Sequence, residues 1–255
     1  YPLAFGYLAG MIRRHTDWEL MVYNADFHGQ TEPMQVSYLG GQGFRNYLAA
    51  LENPTGPVWD EVRATVAEFA PEVVGISTKS QALTSALVTA RIIKELNKDI
   101  LVVIGGPHPT MSGAEVLESP DVDACCAGEG EQTIVDLLRS IEAHAAFDGV
   151  KGAMYRGGDK IVQNPPREFI QDLDSLPFPH ADAAEVLKDY DKHPITAFKN
   201  IMATRGCPYN CAFCGSRKIW SRKTRFRSVE SVTDEIQSLQ QMGLKFIRFE
   251  DDTFG

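Results

Sequence analysis

Between Val58 and Ile141 two kinds of apolar stretch alternate, and this alternation restricts the fold more than any other feature of the chain. "VWDEVRATVAEFA" (58–70) has helical spacing and is closed by Pro71, and "EVVGIST" (72–78) reads as a buried strand. A helix from about Leu83 to Leu96 follows, then "ILVVIGG" (100–106), the most apolar strand in the chain, and a short helical stretch near Ser112 to Leu117. "VDACCAGEGE" (122–131) opens as a third strand. The helix after it puts Ile134, Leu137, Leu138 and Ile141 on one face at i, i+3, i+4 and i+7. Strands that are apolar on both faces need cover on both sides. The expected fold is therefore α/β, a doubly wound parallel sheet of Rossmann-like type.

The preceding segment reads as a helix with Ala4, Leu8, Met11 and Ile12 on one side, followed by a strand in "WELMVYNA" (18–25) and a polar, Gly-rich excursion from His28 to Pro57. In open α/β sheets ligands sit at the carboxyl ends of the strands. Here those ends are "STKS" (77–80), "GGPHPT" (105–110) and "GEGE" (128–131), all small, polar or Gly-rich. Each could be a plain turn, but three on one edge favour a ligand. Neither dinucleotide nor P-loop glycine patterns occur in them.

After Gly149 the periodicity weakens. "GAMYRGGDKIVQNPP" (152–166) reads as a small hairpin turning at Gly157, Gly158 and Asp159, and "DLDSLPFPHAD" (172–182) as a Pro-interrupted connector. "NIMATRG" (200–206) is then a strand, Val229 to Met242 a helix, and a further strand starts at Phe246, which together make a βαβ unit. Just after its first strand lies "RGCPYNCAFCGS" (205–216), with Cys207, Cys211 and Cys214.

Five cysteines is an odd count, and three of them fall within eight positions, a poor disulfide framework for a chain of 255 residues. Reduced thiols holding a metal are the better reading. Structural zinc wants four ligands, and neither His180 nor His193 has ligand-like spacing to the cysteines. A [4Fe–4S] cluster held by three thiolates leaves one iron open to a substrate or cofactor. Zinc, or thiols with no metal, remain the alternatives. Cys125 and Cys126, in an apolar strand, read as core.

The formal net charge of −9 argues against a general nucleic-acid partner. Locally, Arg205, Arg217, Lys218, Arg222, Lys223, Arg225 and Arg227 form a basic run with no acid among them. That run fits a solvated face or an acidic substrate or cofactor, and less well RNA, because aromatic interleaving is sparse. No apolar run approaches the roughly 18 residues of a membrane span, and no signal-peptide pattern opens the chain, so a cytoplasmic location is expected. The chain begins with Tyr1 and ends in "FIRFEDDTFG", which reads as a piece cut from a longer protein at both ends.

Cys207-x-x-x-Cys211-x-x-Cys214 after a strand, with an aromatic residue at Phe213, resembles the cluster motif of the radical S-adenosylmethionine (SAM) enzymes. Residues 1 to 145, with "GGPHPT" and "GEGE", resemble the cobalamin-binding domain that precedes the barrel in the B12-dependent branch of that family. The resemblance implies a cobalamin-binding domain over 1–148, a linker with a small hairpin over 149–198, and the start of a partial (β/α) barrel over 199–255. It also implies three cofactors, a [4Fe–4S] cluster on Cys207, Cys211 and Cys214, SAM and cobalamin. SAM would meet Phe213 and one of Glu250, Asp251 or Asp252; "FEDDTF" stands where the wider family has Gly-Gly-Glu. Cobalamin would meet Ser77, Thr78, Gly105, Gly106, Pro107, His108, Gly128, Glu129 and Gly130. The Asp-x-His-x-x-Gly signature of a lower cobalt ligand is not found, since "DFHG" (26–29) has other spacing.

The activity implied is methylation of an unactivated carbon of a small molecule. The cluster reduces SAM to methionine and a 5′-deoxyadenosyl radical, the radical takes a hydrogen from the substrate, and methylcobalamin delivers the methyl group. An external electron donor of flavodoxin or ferredoxin type would supply the electron. A cobalamin-dependent cyclase or rearrangement enzyme, and a non-catalytic corrinoid-binding protein, are the other readings.

Overall fold

The computed structural model describes residues 1–25 and 42–254, so "DFHG" at 26–29 lies outside the described residues. In chain order the elements are α1 (Leu3–His15), α2 (Gln42–Glu52), α3 (Pro57–Phe69), β1 (Val73–Ser77), α4 (Leu83–Leu96), β2 (Leu101–Gly105), α5 (Pro107–Ser112), β3 (Ala124–Cys126), α6 (Glu131–Glu142), β4 (Ala153–Gly157), β5 (Lys160–Gln163), α7 (Ala183–Val186), β6 (Asn200–Ile201), β7 (Thr204–Arg205), α8 (Ser216–Trp220), β8 (Arg225–Phe226), α9 (Val229–Gln241) and β9 (Arg248–Phe249). They fall into two compact units that interleave along the chain. One holds Asn24–Ala127 and Ala153–Gln163; the other holds Tyr1–Tyr23, Gly128–Gly152 and Asn164–Gly255.

The first unit is organised by one sheet in the order β1-β2-β3-β4-β5. β1, β2 and β3 are parallel, with Ser77 opposite Gly105 and Ile104 opposite Cys125. Val102, Val103 and Ile104 of β2 and Cys125 of β3 are buried, as apolar strands between covering layers must be. Burial pushes the Cys125 thiol up to about 12, which fits its reading as core. α4 supplies Ala90, Ile92 and Ile93 to the interior, and α3 packs against α4.

Two expectations need correction in this unit. The hairpin β4–β5 is present with its turn at Gly158 and Asp159, but it belongs to the sheet rather than to a linker: β4 pairs antiparallel with β3, Cys125 opposite Met154. Ala153, Met154 and Tyr155 are buried there, so the strand-forming half of the hairpin has an apolar edge to cover. The sheet is mixed as a result. Within the supposed polar excursion, Gln42–Glu52 is a helix, because the good helix formers of "YLAALE" outweigh the flanking glycines.

The second unit is held by α1, α6 and α9 with short two-residue ladders. β6 pairs parallel with β9, Ile201 opposite Phe249, and β7 pairs antiparallel with β8, Thr204 opposite Phe226 and Arg205 opposite Arg225. The expected βαβ unit is thus β6–α9–β9, while "NIMATRG" is split between two ladders. Ser228 caps α9 by accepting from the Ser231 amide, and Leu239 and Ile201 are fully buried in the core. Val229, at the first turn, is 77% exposed. Ala4 is likewise exposed: α1 buries Tyr7, Ala9, Met11 and Ile12.

"WELMVYNA" does not form a sheet strand. Its one ladder contact is a parallel bridge from Val22 to Leu187, with Val22 N–H donating to Val186 O (2.7 Å) and Lys188 N–H donating to Val22 O (2.9 Å). The buried Val22 sits in the core with Ala183, Val186 and Leu187, which satisfies the apolar pattern without a ladder.

Candidate functional site

The ends of β1 and β2 are joined by main-chain bonds. Thr78 N–H donates to Gly105 O (2.9 Å), and His108 N–H donates to Thr78 O (3.1 Å). Gly106 adopts φ +104, and a Cβ there would lie 2.9 Å from Thr78 O and 3.0 Å from Ser77 Oγ, so this junction admits only glycine. Pro107 starts α5 at its first turn. His108 is buried, with Nδ1 3.0 Å from Ser80 Oγ; its Nε2 has no hydrogen-bond partner, and the nearest carboxylate oxygen, Glu115 Oε2, is 3.9 Å away. Ser77, Thr78, Gly105, Gly106, Pro107 and His108 therefore come together as one edge of small groups with a single orphaned polar atom. Small residues at that edge let a ligand approach the backbone closely.

Gly128, Glu129 and Gly130 belong to the second unit. Gly128 has φ +82 and is exposed. The Glu129 carboxylate is buried and committed: it accepts from Arg205 Nη1 (2.8 Å), from Arg225 Nη1 (2.9 Å) and from the Ile170 amide (2.6 Å).

In the same unit the cysteine loop leaves the end of β7. Gly206 has φ +107, and a Cβ there would stand 2.2 Å from Lys223 O, so the chain passes against residue 223 with no room for a side chain. Cys207 is half-buried, its Sγ 3.1 Å from Thr253 Oγ1; Cys211 and Cys214 are exposed and linked by a turn in which Cys214 N–H donates to Cys211 O (3.2 Å). Arg217 Nη1 donates to Asn210 Oδ1 (2.8 Å) across the loop. All three thiols line one pocket with Tyr209, Ser216 and Arg217. None of the five cysteines is in a disulfide.

Among the described residues no three His, Cys, Asp or Glu side chains are drawn tightly enough together to form a ready metal site. Cys207, Cys211 and Cys214 nonetheless line one pocket, which fits an iron–sulfur cluster. The cluster's own iron–thiolate bonds would draw them the remaining distance, and there is no fourth protein ligand in the pocket.

The acids after β9 have separate tasks. Asp251 accepts from Ala203 N–H and from Thr204 Oγ1, both at 2.9 Å, and Asp252 accepts from Ser216 Oγ at 2.9 Å. Glu250 makes an exposed ion pair with Arg248 (3.1 Å). Phe213 is 93% exposed.

The basic run divides in two, which neither a solvated face nor an anion site describes. Arg217, Lys218, Arg222 and Lys223 are exposed, while Arg205 and Arg225 are buried and the Arg227 guanidinium is covered. Arg205 reaches Glu129 and Glu131, Arg225 reaches Glu129, and Arg227 pairs with the fully buried Glu235 of α9. The acids are absent locally because they arrive from other parts of the chain. One signal could have found this: Arg205 lies at the end of the expected strand "NIMATRG", where a buried charge must be paired.

The family model described as B12 binding domain matches residues 1–138. "Uncharacterized methyltransferase PH0819" of Pyrococcus horikoshii is 31% identical over 255 residues, covering 99% of this chain and 49% of that protein. An "Anaerobic magnesium-protoporphyrin IX monomethyl ester cyclase" of Rubrivivax gelatinosus is 32% identical over 230 residues, 84% of this chain and 40% of that protein. The chain thus spans half or less of the length of these curated relatives. Among solved structures, the radical S-adenosylmethionine methyltransferase TsrM from Kitasatospora setae, with cobalamin and a [4Fe–4S] cluster bound, matches 98% of this chain and 45% of its own with a TM-score of 0.62 at 16% identity. That likeness is one of fold, and it agrees with the α/β architecture read from the sequence.

Proposed function

We propose that this chain, which belongs to the B12-binding domain family, is part of a cobalamin-dependent radical SAM methyltransferase acting on an unactivated carbon of a small molecule. The observation that carries the reading is the set of three thiols without a fourth, Cys207, Cys211 and Cys214, around one pocket in a chain of that family. When bound, the cluster supplies the electron that splits SAM, and the cobalamin carries the methyl group.

The chain's own residues hold and orient these groups. Cys207, Cys211 and Cys214 ligate the cluster, and the absent fourth thiolate leaves one iron for SAM. The exposed ring and main chain at Phe213 meet the adenine. Of the three acids, Asp251 and Asp252 already hold Ala203, Thr204 and Ser216 in place, which leaves Glu250 for the SAM amino group. Its pair with Arg248 is exposed, worth about 0–1 kcal/mol, and readily exchanged. Ser77, Thr78, Gly105, Gly106, Pro107 and His108 seat cobalamin, while Glu129 serves through its ion pairs. In this division the cobalamin-binding part of 1–148 also takes in the β4–β5 hairpin, the rest of 149–198 is the linker, and 199–255 is the start of the radical SAM barrel. The donor is an external flavodoxin or ferredoxin, and the setting is cytoplasmic. No helix among the described residues is long and apolar enough to cross a membrane.

A cobalamin-dependent cyclase is the second reading, favoured by the 32% identity to a cyclase. Product analysis separates the two. The full-length protein, supplied with iron, sulfide, cobalamin, a reductant, SAM and substrate, should yield both 5′-deoxyadenosine and S-adenosylhomocysteine, because a methyltransferase uses SAM as radical source and as methyl source. 5′-Deoxyadenosine without S-adenosylhomocysteine or transfer of labelled methyl would overturn the methyltransferase reading and leave the cyclase.

A further inference from the structure

Two positions before Cys207, the Arg205 side chain is 4% exposed, and its two terminal nitrogens go to different carboxylates: Nη1 to Glu129 Oε1 (2.8 Å) and Nη2 to Glu131 Oε1 (2.6 Å). Its Cζ lies 4.9 Å from the Tyr7 ring centroid and 5.7 Å from that of Trp220. Burial alone would lower its pKa, yet Glu131 and Glu129 hold it above the ordinary arginine value, so the guanidinium stays charged. Arg225, opposite Arg205 in the β7–β8 ladder, closes the set by donating to Glu129 and to Ile170 O (2.6 Å). Its Nε and Nη2 have no hydrogen-bond partner, and its Cζ lies 4.8 Å from the Phe169 ring centroid and 6.0 Å from that of Trp220. Two cations and two anions are thus buried together with no net charge.

Such a network is an expensive way to gain stability, since buried ion pairs often do no better than well-packed apolar residues of the same volume. What it does supply is direction. A planar fork held at both prongs, with two rings close to it, has little freedom to rotate. Only Gly206 separates Arg205 from Cys207, and it passes against Lys223 O with no room for a side chain, so the link between the two is short and closely packed. We infer that Arg205, bridged to Glu129 and Glu131, is the positioning residue of the cysteine loop and fixes where the Cys207 sulfur stands. The "GEGE" loop thereby serves the cluster through its two carboxylates. The inference rests on the reading that the three thiols hold a cluster.

The test uses the full chain and a pairwise variant that leaves no lone buried charge, Arg205→Gln with Glu131→Gln, so that Arg225 and Glu129 remain matched. In the metal-free protein, iodoacetamide labelling mapped by mass spectrometry should show Cys207 reacting about tenfold faster than in wild type, as local opening frees it, with Cys211 and Cys214 unchanged and a cooperative melt retained. After reconstitution with iron and sulfide, the electron paramagnetic resonance signal of the reduced cluster should shift and broaden. Arg205→Lys keeps the charge but cannot hold both carboxylates, so its Cys207 rate should fall between the two. A folded double variant with wild-type Cys207 labelling and a wild-type spectrum overturns the inference. Should the double variant not fold, a wild-type Cys207 rate in Arg205→Lys overturns it equally. If wild type itself takes up no iron, the proposed function fails, while the labelling still decides the role of Arg205.

Discussion

The edge at Ser77, Gly105 and Gly106 is made by main chain and small residues within adjacent strands, whereas the cysteine loop is held by side chains that come from far along the sequence. Arg205 meets partners 76 and 74 residues away, and Arg225 meets one 96 residues away. The first kind of site follows once the strands pair, because register alone sets Ser77 beside Gly105. The second depends on tertiary packing of charged groups and fails if any one of them is lost. A local motif can therefore mark where a cofactor binds without showing what keeps the binding groups in place.

The strongest way to break this comparison is Cys211→Ala. Iron uptake and SAM cleavage should both be lost, while the parallel strands melt as before, because Cys211 takes no part in the sheet unit. Full iron content in that variant, measured by iron analysis after anaerobic reconstitution, would contradict the ligand role. Next in size is Glu129→Ala, which strips both arginines of a shared buried partner and should cost about 3–5 kcal/mol in denaturant unfolding. Gly106→Ala attacks the other site. A side chain at φ +104 against Thr78 O should cost about 1–3 kcal/mol and weaken cobalamin binding, leaving iron uptake intact. The smallest stability effect belongs to Phe213→Ala: an exposed ring should change stability by no more than about 0.5 kcal/mol. SAM affinity, read by equilibrium dialysis, should nonetheless fall.

Most of the sheet unit was legible in the sequence. β1, β2 and β3 stand where the apolar runs put them and α4 spans Leu83–Leu96 as expected; in the other unit, α6 buries Leu137 and Leu138 of its expected face, with Ile134 and Ile141 half-buried. These elements are specified by short-range pattern. What the pattern did not reveal was set by packing: Val22 satisfied by one bridge instead of a strand, and β4 recruited to the edge of β3. The cysteine motif was legible for a different reason, since thiol spacing on one turn is itself local. Its supports were not, because Glu129 and Glu131 look like ligand-facing groups in a Gly-rich loop, and Arg205 like one member of a basic run. Only the fold shows that these opposite charges are mutual partners. Glu235, one of three acids on α9 beside Glu230 and Asp234, gave no sign that it would be fully buried against Arg227.

Mössbauer spectroscopy of the full-length protein, reconstituted with iron-57 and sulfide and examined with and without SAM, tests the central claim most directly. Three thiolates with one open iron predict about four irons per chain, three alike and one distinct, with the distinct site alone shifting when SAM is added. A chain that instead took up one zinc, or a cluster whose four irons all ignored SAM, would contradict the account.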